Sequence, residues 1–300
     1  MGIWPTMITP FREDGSLDEE AIGPLVDWYI SRGVHGLFAV CQSSEMFDLD
    51  LEERLRLARL TLRAARGRVP VIASGHISEA REEQLRELRA MVETGVDAVI
   101  LVTNRLAGAA ENDAVWWERC GSLLRELPSD ARLGFYECPH PYKRLFTPEL
   151  LARAARTGRF TKLKDTSCDA EEIRRRLGAI RGTPLSLYNA NSATLLESLG
   201  DGAAGYSGVM ANFHPELYAW LWRNRSSRPE ESARLAAWLG VASAVENVAY
   251  PRCAKYYLRL EGLPITTVCR RAVRELGPGD RRLIEQLRDV SRDMRRAYGV

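Results

Sequence analysis

Short runs of β-branched or apolar residues, bounded by Gly, Pro or Asn, recur along the first two hundred residues. Between successive runs the apolar positions fall at helical spacing. The alternation predicts eight strands: Trp4 to Ile8, Gly36 to Cys41, Val69 to Ala73, Ala98 to Val102, Arg132 to Tyr136, Phe160 to Lys164, Leu185 to Asn189 and Ala203 to Ser207. Several helix starts carry their own cues. Ser16 to Glu19 reads as a capping box, Ser78 precedes Glu82 and Glu83, and Thr147-Pro148-Glu149 places a cap before a proline at the first helical position. After the eighth strand only helical spacing continues, over Pro215 to Asn224, Pro229 to Val248, Pro251 to Leu260 and Gly279 to Ala297.

Eight β/α repeats with short connections favour a closed sheet. An open nucleotide-binding sheet would carry a glycine-rich turn after its first strand, where this chain has Thr9-Pro10-Phe11. The expected fold is therefore α/β: a (β/α)8 TIM barrel over residues 1–225, with a C-terminal helical extension, residues 226–300, packed on the barrel as a structural or oligomeric layer. No linker rich in Pro, Gly and Ser sets that layer apart as an independent domain.

Composition narrows the partners. The chain has 300 residues, 45% of them hydrophobic, and its 42 basic side chains nearly cancel 40 acidic ones. The arginine-rich stretches around Arg54 and Arg174 read as solvated helix faces, and no basic cluster with interleaved aromatics marks a nucleic-acid partner. No basic, apolar, small-residue leader pattern opens the sequence, and no apolar run approaches the roughly 18 residues of a bilayer span. A cytoplasmic protein without a membrane partner is expected. Cys41, Cys120, Cys138, Cys168, Cys253 and Cys269 form no C-x-x-C pair, so neither a zinc site nor a disulfide framework follows, and no metal or cofactor is expected.

In a β/α barrel reactive groups gather at the C-terminal ends of the strands. On this reading those ends carry Gln42, Ser43, Ser44 and Glu45, then Tyr136, Lys164, Asn189 with Asn191, and Tyr206 with Ser207. Period-two alternation puts Phe160, Lys162 and Lys164 on one strand face. If that face points inward, burial lowers the ammonium pKa and a neighbouring cation lowers it further. Both raise the fraction of neutral amine that can attack a carbonyl. The competing reading is a lysine ion-paired at the barrel rim. Tyr136 ends the neighbouring strand, where its phenol is either a proton carrier or a packed aromatic.

Four stretches resemble the N-acetylneuraminate lyase and dihydrodipicolinate synthase superfamily of Schiff-base aldolases, over nearly the whole chain. They are Pro5-Thr-Met-Ile-Thr-Pro-Phe11 with Asp14-Gly15, Cys41-Gln-Ser-Ser-Glu45, Tyr136-Glu-Cys-Pro139 and Lys164-Asp-Thr-Ser167. The resemblance implies Lys164 as the imine-forming lysine, Tyr136 as the proton-transfer phenol, and Ser43 with the amides of its turn as the holder of a substrate carboxylate. Gln42, Ser44, Asn189 and Tyr206 are further expected substrate contacts, Glu45 a structural residue of its loop, and Lys162, where the family usually has Gly, a residue that tunes Lys164. The implied partner is a small 2-oxo acid, pyruvate or a hydroxy-2-oxo acid, whose C–C bond is broken or formed by a homodimer or homotetramer. A dehydratase of 2-oxo sugar acids using the same imine, or a catalytically weak 2-oxo-acid-binding relative, are the alternatives.

The departures bear on specificity. Gln42 replaces a relay Thr, Thr103-Asn104-Arg105-Leu106 lacks the synthase's relay Tyr, and Pro141 stands where the synthase has Arg. These argue against dihydrodipicolinate synthesis. Asn189-Ala-Asn191 likewise replaces the acidic pair of the sialic-acid lyase.

Overall fold

The computed structural model describes residues 1–300. The apolar runs form eight short parallel strands: β1 Gly2–Ile3, β2 Leu37–Val40, β3 Val71–Ser74, β4 Ala98–Val102, β5 Leu133–Tyr136, β6 Phe160–Asp165, β7 Ser186–Asn189 and β8 Gly205–Tyr206. They lie in the order β1-β8-β7-β6-β5-β4-β3-β2, so every strand except β1 and β2 has its sequence neighbours beside it. The chain beyond β1 brings the two ends of this curled sheet together. Phe38 N–H donates to Pro5 O and Met7 N–H to Phe38 O, both at 3.0 Å. Helices cover the outer face, which is why most strands read as nearly continuous apolar runs.

A helix follows each strand: α1 Glu19–Ser31, α2 Leu51–Ala65, α3 Arg81–Val92, α4 Asp113–Glu126, α5 Pro148–Ala155, α6 Ala170–Ala179, α7 Leu195–Gly200 and α8 Pro215–Asn224. The C-terminal part adds α9 Pro229–Ala242, a 3-10 turn Ser243–Asn247, α10 Arg252–Leu260 and α11 Pro278–Tyr298. One buried hydrophobic cluster runs from Ile3 through the sheet and α8 to Ile284 on α11. Where β8 meets β1, a Cβ on Gly205 would sit 1.8 Å from Gly2 O, so only glycine permits the approach.

Several expected boundaries are corrected. The first strand is two residues long; beyond it Trp4 N–H still donates to Tyr206 O of β8 and Thr6 bridges to Phe38 of β2, the side on which Pro5 has no N–H to offer. The cap of α1 is Asp18, whose carboxylate accepts the Ala21 N–H at 3.3 Å, and not Ser16, which turns to Asp14. Ser78 does not cap α3; its hydroxyl donates to Glu87 at 3.0 Å. The helix expected over Pro229 to Val248 ends at Ala242 and tightens into the 3-10 turn.

The most consequential correction is in β6. Its register against β5 shifts between Leu133↔Phe160 and Gly134↔Lys162. This irregularity reverses the face of Phe160. Its ring stacks 3.9 Å from Phe135, which packs on Trp116 of α4, while Lys162 and Lys164 line the space inside the sheet. Gly134 makes room for the shift, since a Cβ there would lie 2.5 Å from Ile100 Cδ1 and 2.9 Å from Lys162 O.

Candidate active site

A cavity of about 610 Å³ opens at the C-terminal ends of the strands. Lys164, Tyr136, Gln42, Ser43, Glu246 and Arg271 are among the residues that line it. In-register neighbours in a parallel sheet share a face, and Lys164 pairs with Tyr136 on β5 and Tyr188 on β7, all pointing inward. Lys164 is 8% exposed, and its Nζ stands 4.2 Å over the centre of the Tyr136 ring. It forms no ion pair. Burial lowers its pKa, while the Cys41 and Cys138 thiols and the Glu246 carboxylate oppose the shift. Burial drives the Tyr136 phenol well above its ordinary value. The phenol donates to Gln42 Oε1 at 3.5 Å, an atom that also faces the Cys138 thiol at 3.6 Å.

Ser43 lies in a 3-10 turn, Gln42–Ser44, directly after β2. Its hydroxyl reaches the cavity wall and donates to Thr6 Oγ1 at 3.0 Å. Ser44 does not line the cavity. Its hydroxyl accepts the Cys41 N–H at 2.7 Å and donates to Cys41 O at 2.6 Å, so it closes the turn instead.

Asn189 and Tyr206 also lie elsewhere. They pair in register with each other, and Asn189 pairs with Asp165, whose side chain points outward. The Asn189 amide donates to Thr194 and Ser198, each at 3.0 Å, and tethers α7. Tyr206 stacks 4.2 Å from Tyr218 of α8, with its hydroxyl 3.1 Å from Ser192.

Lys162 is inward but sits one layer down. Its Nζ lies 3.8 Å over the Trp4 ring and donates to Tyr188 at 3.4 Å. Burial brings its pKa down to about 8. Lys162 and Lys164 line the same inner space of the sheet.

Residues at the strand tips hold those tips in place from outside. Glu137 and Asp165 follow Tyr136 and Lys164 and share the buried Arg176 of α6, at 3.1 and 2.5 Å. Glu137 also accepts the Phe146 N–H at 2.8 Å and the Thr166 N–H at 3.0 Å. Burial and the Asp165 charge push the Glu137 carboxyl up to about 7, against the pull of Arg176.

The C-terminal layer supplies cavity residues that the sequence reading treated as structural. Glu246 comes from the 3-10 turn after α9, and Tyr250 and Arg271 from the loops around α10. Burial raises the Glu246 carboxyl, and the Lys164 charge holds it back. The break of α9 at Ser243 is what brings Glu246 to the cavity, and nothing in the helical spacing marks that break. Glu45 is structural as expected: fully buried, it pairs with Lys255 of α10 at 2.6 Å.

No cluster of three His, Cys, Asp or Glu side chains is arranged to hold a metal ion, and no helix is long and apolar enough to cross a membrane.

Residues 1–286 match the Dihydrodipicolinate synthetase family. The 4-hydroxy-tetrahydrodipicolinate synthase of Acidithiobacillus ferrooxidans is 30% identical over 73% of this chain and 73% of its own. That of Gluconacetobacter diazotrophicus is 27% identical over 93% of each. Among solved structures, dihydrodipicolinate synthase DapA-2 from Bacillus anthracis superposes with a TM-score of 0.87 at 20% identity, covering 96% of this chain and 97% of its own. YagE from E. coli K12, a family protein solved with pyruvate, gives 0.84 at 21% identity and 98% coverage of both chains.

Proposed function

Because the chain belongs to the dihydrodipicolinate synthetase family, whose members are carbon–carbon lyases of the class I aldolase type, we propose that Lys164 forms an imine with a small 2-oxo acid. The observation that carries this reading is a buried lysine without an ion-pair partner, in register with a buried tyrosine, at the floor of a cavity. Lys164 attacks the 2-oxo carbon as the neutral amine, and water leaves. In a substrate with a hydroxyl at C4, the protonated imine draws the electrons of the C3–C4 bond into an enamine as the C4 hydroxyl loses its proton and C4 departs as an aldehyde; the enamine then takes a proton at C3, and water hydrolyses the imine to release pyruvate and free Lys164. Tyr136 passes protons at these steps. Ser43 and the amides of its turn hold the 2-oxo acid's carboxylate. The sheet acts as a closed (β/α)8 barrel over residues 1–225, and residues 226–300 complete the cavity from outside it. We take the enzyme to be cytoplasmic and to assemble as a homodimer or homotetramer, although one structural neighbour is a monomeric dihydrodipicolinate synthase variant.

Synthesis of 4-hydroxy-tetrahydrodipicolinate, the activity in the relatives' names, is the second reading, favoured by the identity to them. Against it stand Gln42 in the turn and Pro141 after the Tyr136 motif. Arg144 cannot substitute, since it is held by Gly108 O, Glu111 O and Asp113 at 2.8 to 3.2 Å. Product analysis over a panel of hydroxy-2-oxo acids separates the readings. Pyruvate release marks a lyase, loss of water with the carbon chain intact marks a dehydratase, and turnover of none marks a binding protein.

A further inference from the structure

The loop between α10 and α11 is fastened on both sides of one side chain that it leaves free. Glu45, buried against Lys255, also accepts the Arg271 backbone N–H at 2.8 Å. Lys255 donates in turn to Val268 O at 2.6 Å. The preceding residue, Arg270, grips Glu53 with both guanidinium nitrogens at 2.6 Å and donates to Gly15 O at 2.8 Å. Two residues further on, Val273 O accepts from Arg252 at 3.2 Å. These contacts fix the backbone of Arg271 at the cavity wall.

The Arg271 guanidinium makes no hydrogen bond and no ion pair, and Asp48 feels its charge from beyond ion-pair distance. The neighbouring cations are engaged. Arg144 is spent on Asp113 and two carbonyls, Arg105 faces Glu79 at 3.4 Å, and Lys143 donates its Nζ to Thr166 O at 2.9 Å. Arg271 is thus a free, planar, permanently charged donor set in a cavity whose floor is Lys164. That geometry suits a carboxylate held by two parallel hydrogen bonds.

We propose that Arg271 binds a second carboxylate, carried by the part of the substrate distal to the 2-oxo acid, so that the preferred substrates are dianionic 2-oxo acids. The proposal rests on the imine reading for the position of the first carboxylate.

The test compares pyruvate with 2-oxoglutarate as imine probes, trapped with borohydride and read by intact mass, in the wild type, Arg271→Ala and Arg271→Lys. In Arg271→Ala the 2-oxoglutarate concentration for half-maximal trapping rises about tenfold or more, while that for pyruvate changes less than about twofold. Arg271→Lys recovers part of the loss, because charge returns without the planar fork. Equal shifts for the two acids, or none, overturn the proposal. If the wild type traps neither acid, the imine reading fails, and calorimetric titration with glutarate then tests Arg271 alone. Binding lost in Arg271→Ala upholds the anion site; binding that is equal in both proteins, or absent from the wild type, overturns it.

Discussion

Tyr136 and Lys164 are register partners across β5 and β6, and the Lys164 Nζ rests 4.2 Å from the centre of the Tyr136 ring. The ring face favours the ammonium weakly, while burial disfavours it more. With no carboxylate in ion-pair contact, the net direction for Lys164 is downward, toward more of the neutral amine. Glu246 supplies the one carboxylate charge among the groups that oppose the shift.

Glu246→Gln therefore moves the pH dependence of imine formation to lower pH. The Glu246 carboxylate raises the pKa of Lys164, so its removal lets that pKa fall further and makes the neutral amine available sooner. Borohydride trapping rates against pH measure this. An unchanged or upward-moved midpoint goes against the assignment.

Tyr136→Phe keeps the ring under Lys164 and removes the hydroxyl. Imine trapping persists, while turnover falls by about 10²–10⁴-fold, the usual contribution of a proton-transfer group. The chain keeps its fold, because the hydroxyl's hydrogen bond to Gln42 is long at 3.5 Å. Trapping and kcat measured on the same preparation separate the two effects.

Lys255→Met strands the Glu45 carboxylate, whose side chain is 0% exposed, without its cation. The expected loss of stability is about 3–5 kcal/mol by urea denaturation, and the double variant with Glu45→Gln recovers part of it. Since Glu45 also holds the Arg271 N–H, this variant loosens the loop over the cavity as well.

Burial and the neighbouring Asp165 charge hold the Glu137 carboxyl above its ordinary range in the folded protein. Between the unfolded and the folded pKa the folded state holds more protons than the unfolded one. The contribution of Glu137 to stability therefore declines as pH rises through that window and is flat below it. In Glu137→Gln this decline disappears from unfolding free energies measured between about pH 5 and pH 8. An unaltered pH profile shows that the carboxylate is ionised throughout, held so by Arg176.

Strand and helix positions were legible because strands buried on both faces leave short apolar runs that stand out from amphipathic helices. Lys164 and Tyr136 were legible because both end such runs. The face of Phe160 was not, since the shift in β6 leaves the alternation of the sequence intact. Asn189 and Tyr206 were misplaced although alternation spoke against them. Asn189 pairs in register with Asp165, which follows Lys164 and must face the other way. Glu246 and Arg271 reach the cavity from about 80 to 110 positions after Lys164, through contacts such as Glu45 to Lys255 that no local pattern announces.

Two depressed lysines share the inner face of β6, and Lys162, at about 8, is itself a chemically competent amine. The decisive measurement is peptide mapping after borohydride reduction in the presence of pyruvate, on the wild type, Lys162→Ala and Lys164→Ala. The account predicts the mass increment on Lys164 in the first two proteins and none in the third. An increment on Lys162, or one that survives in Lys164→Ala, contradicts it.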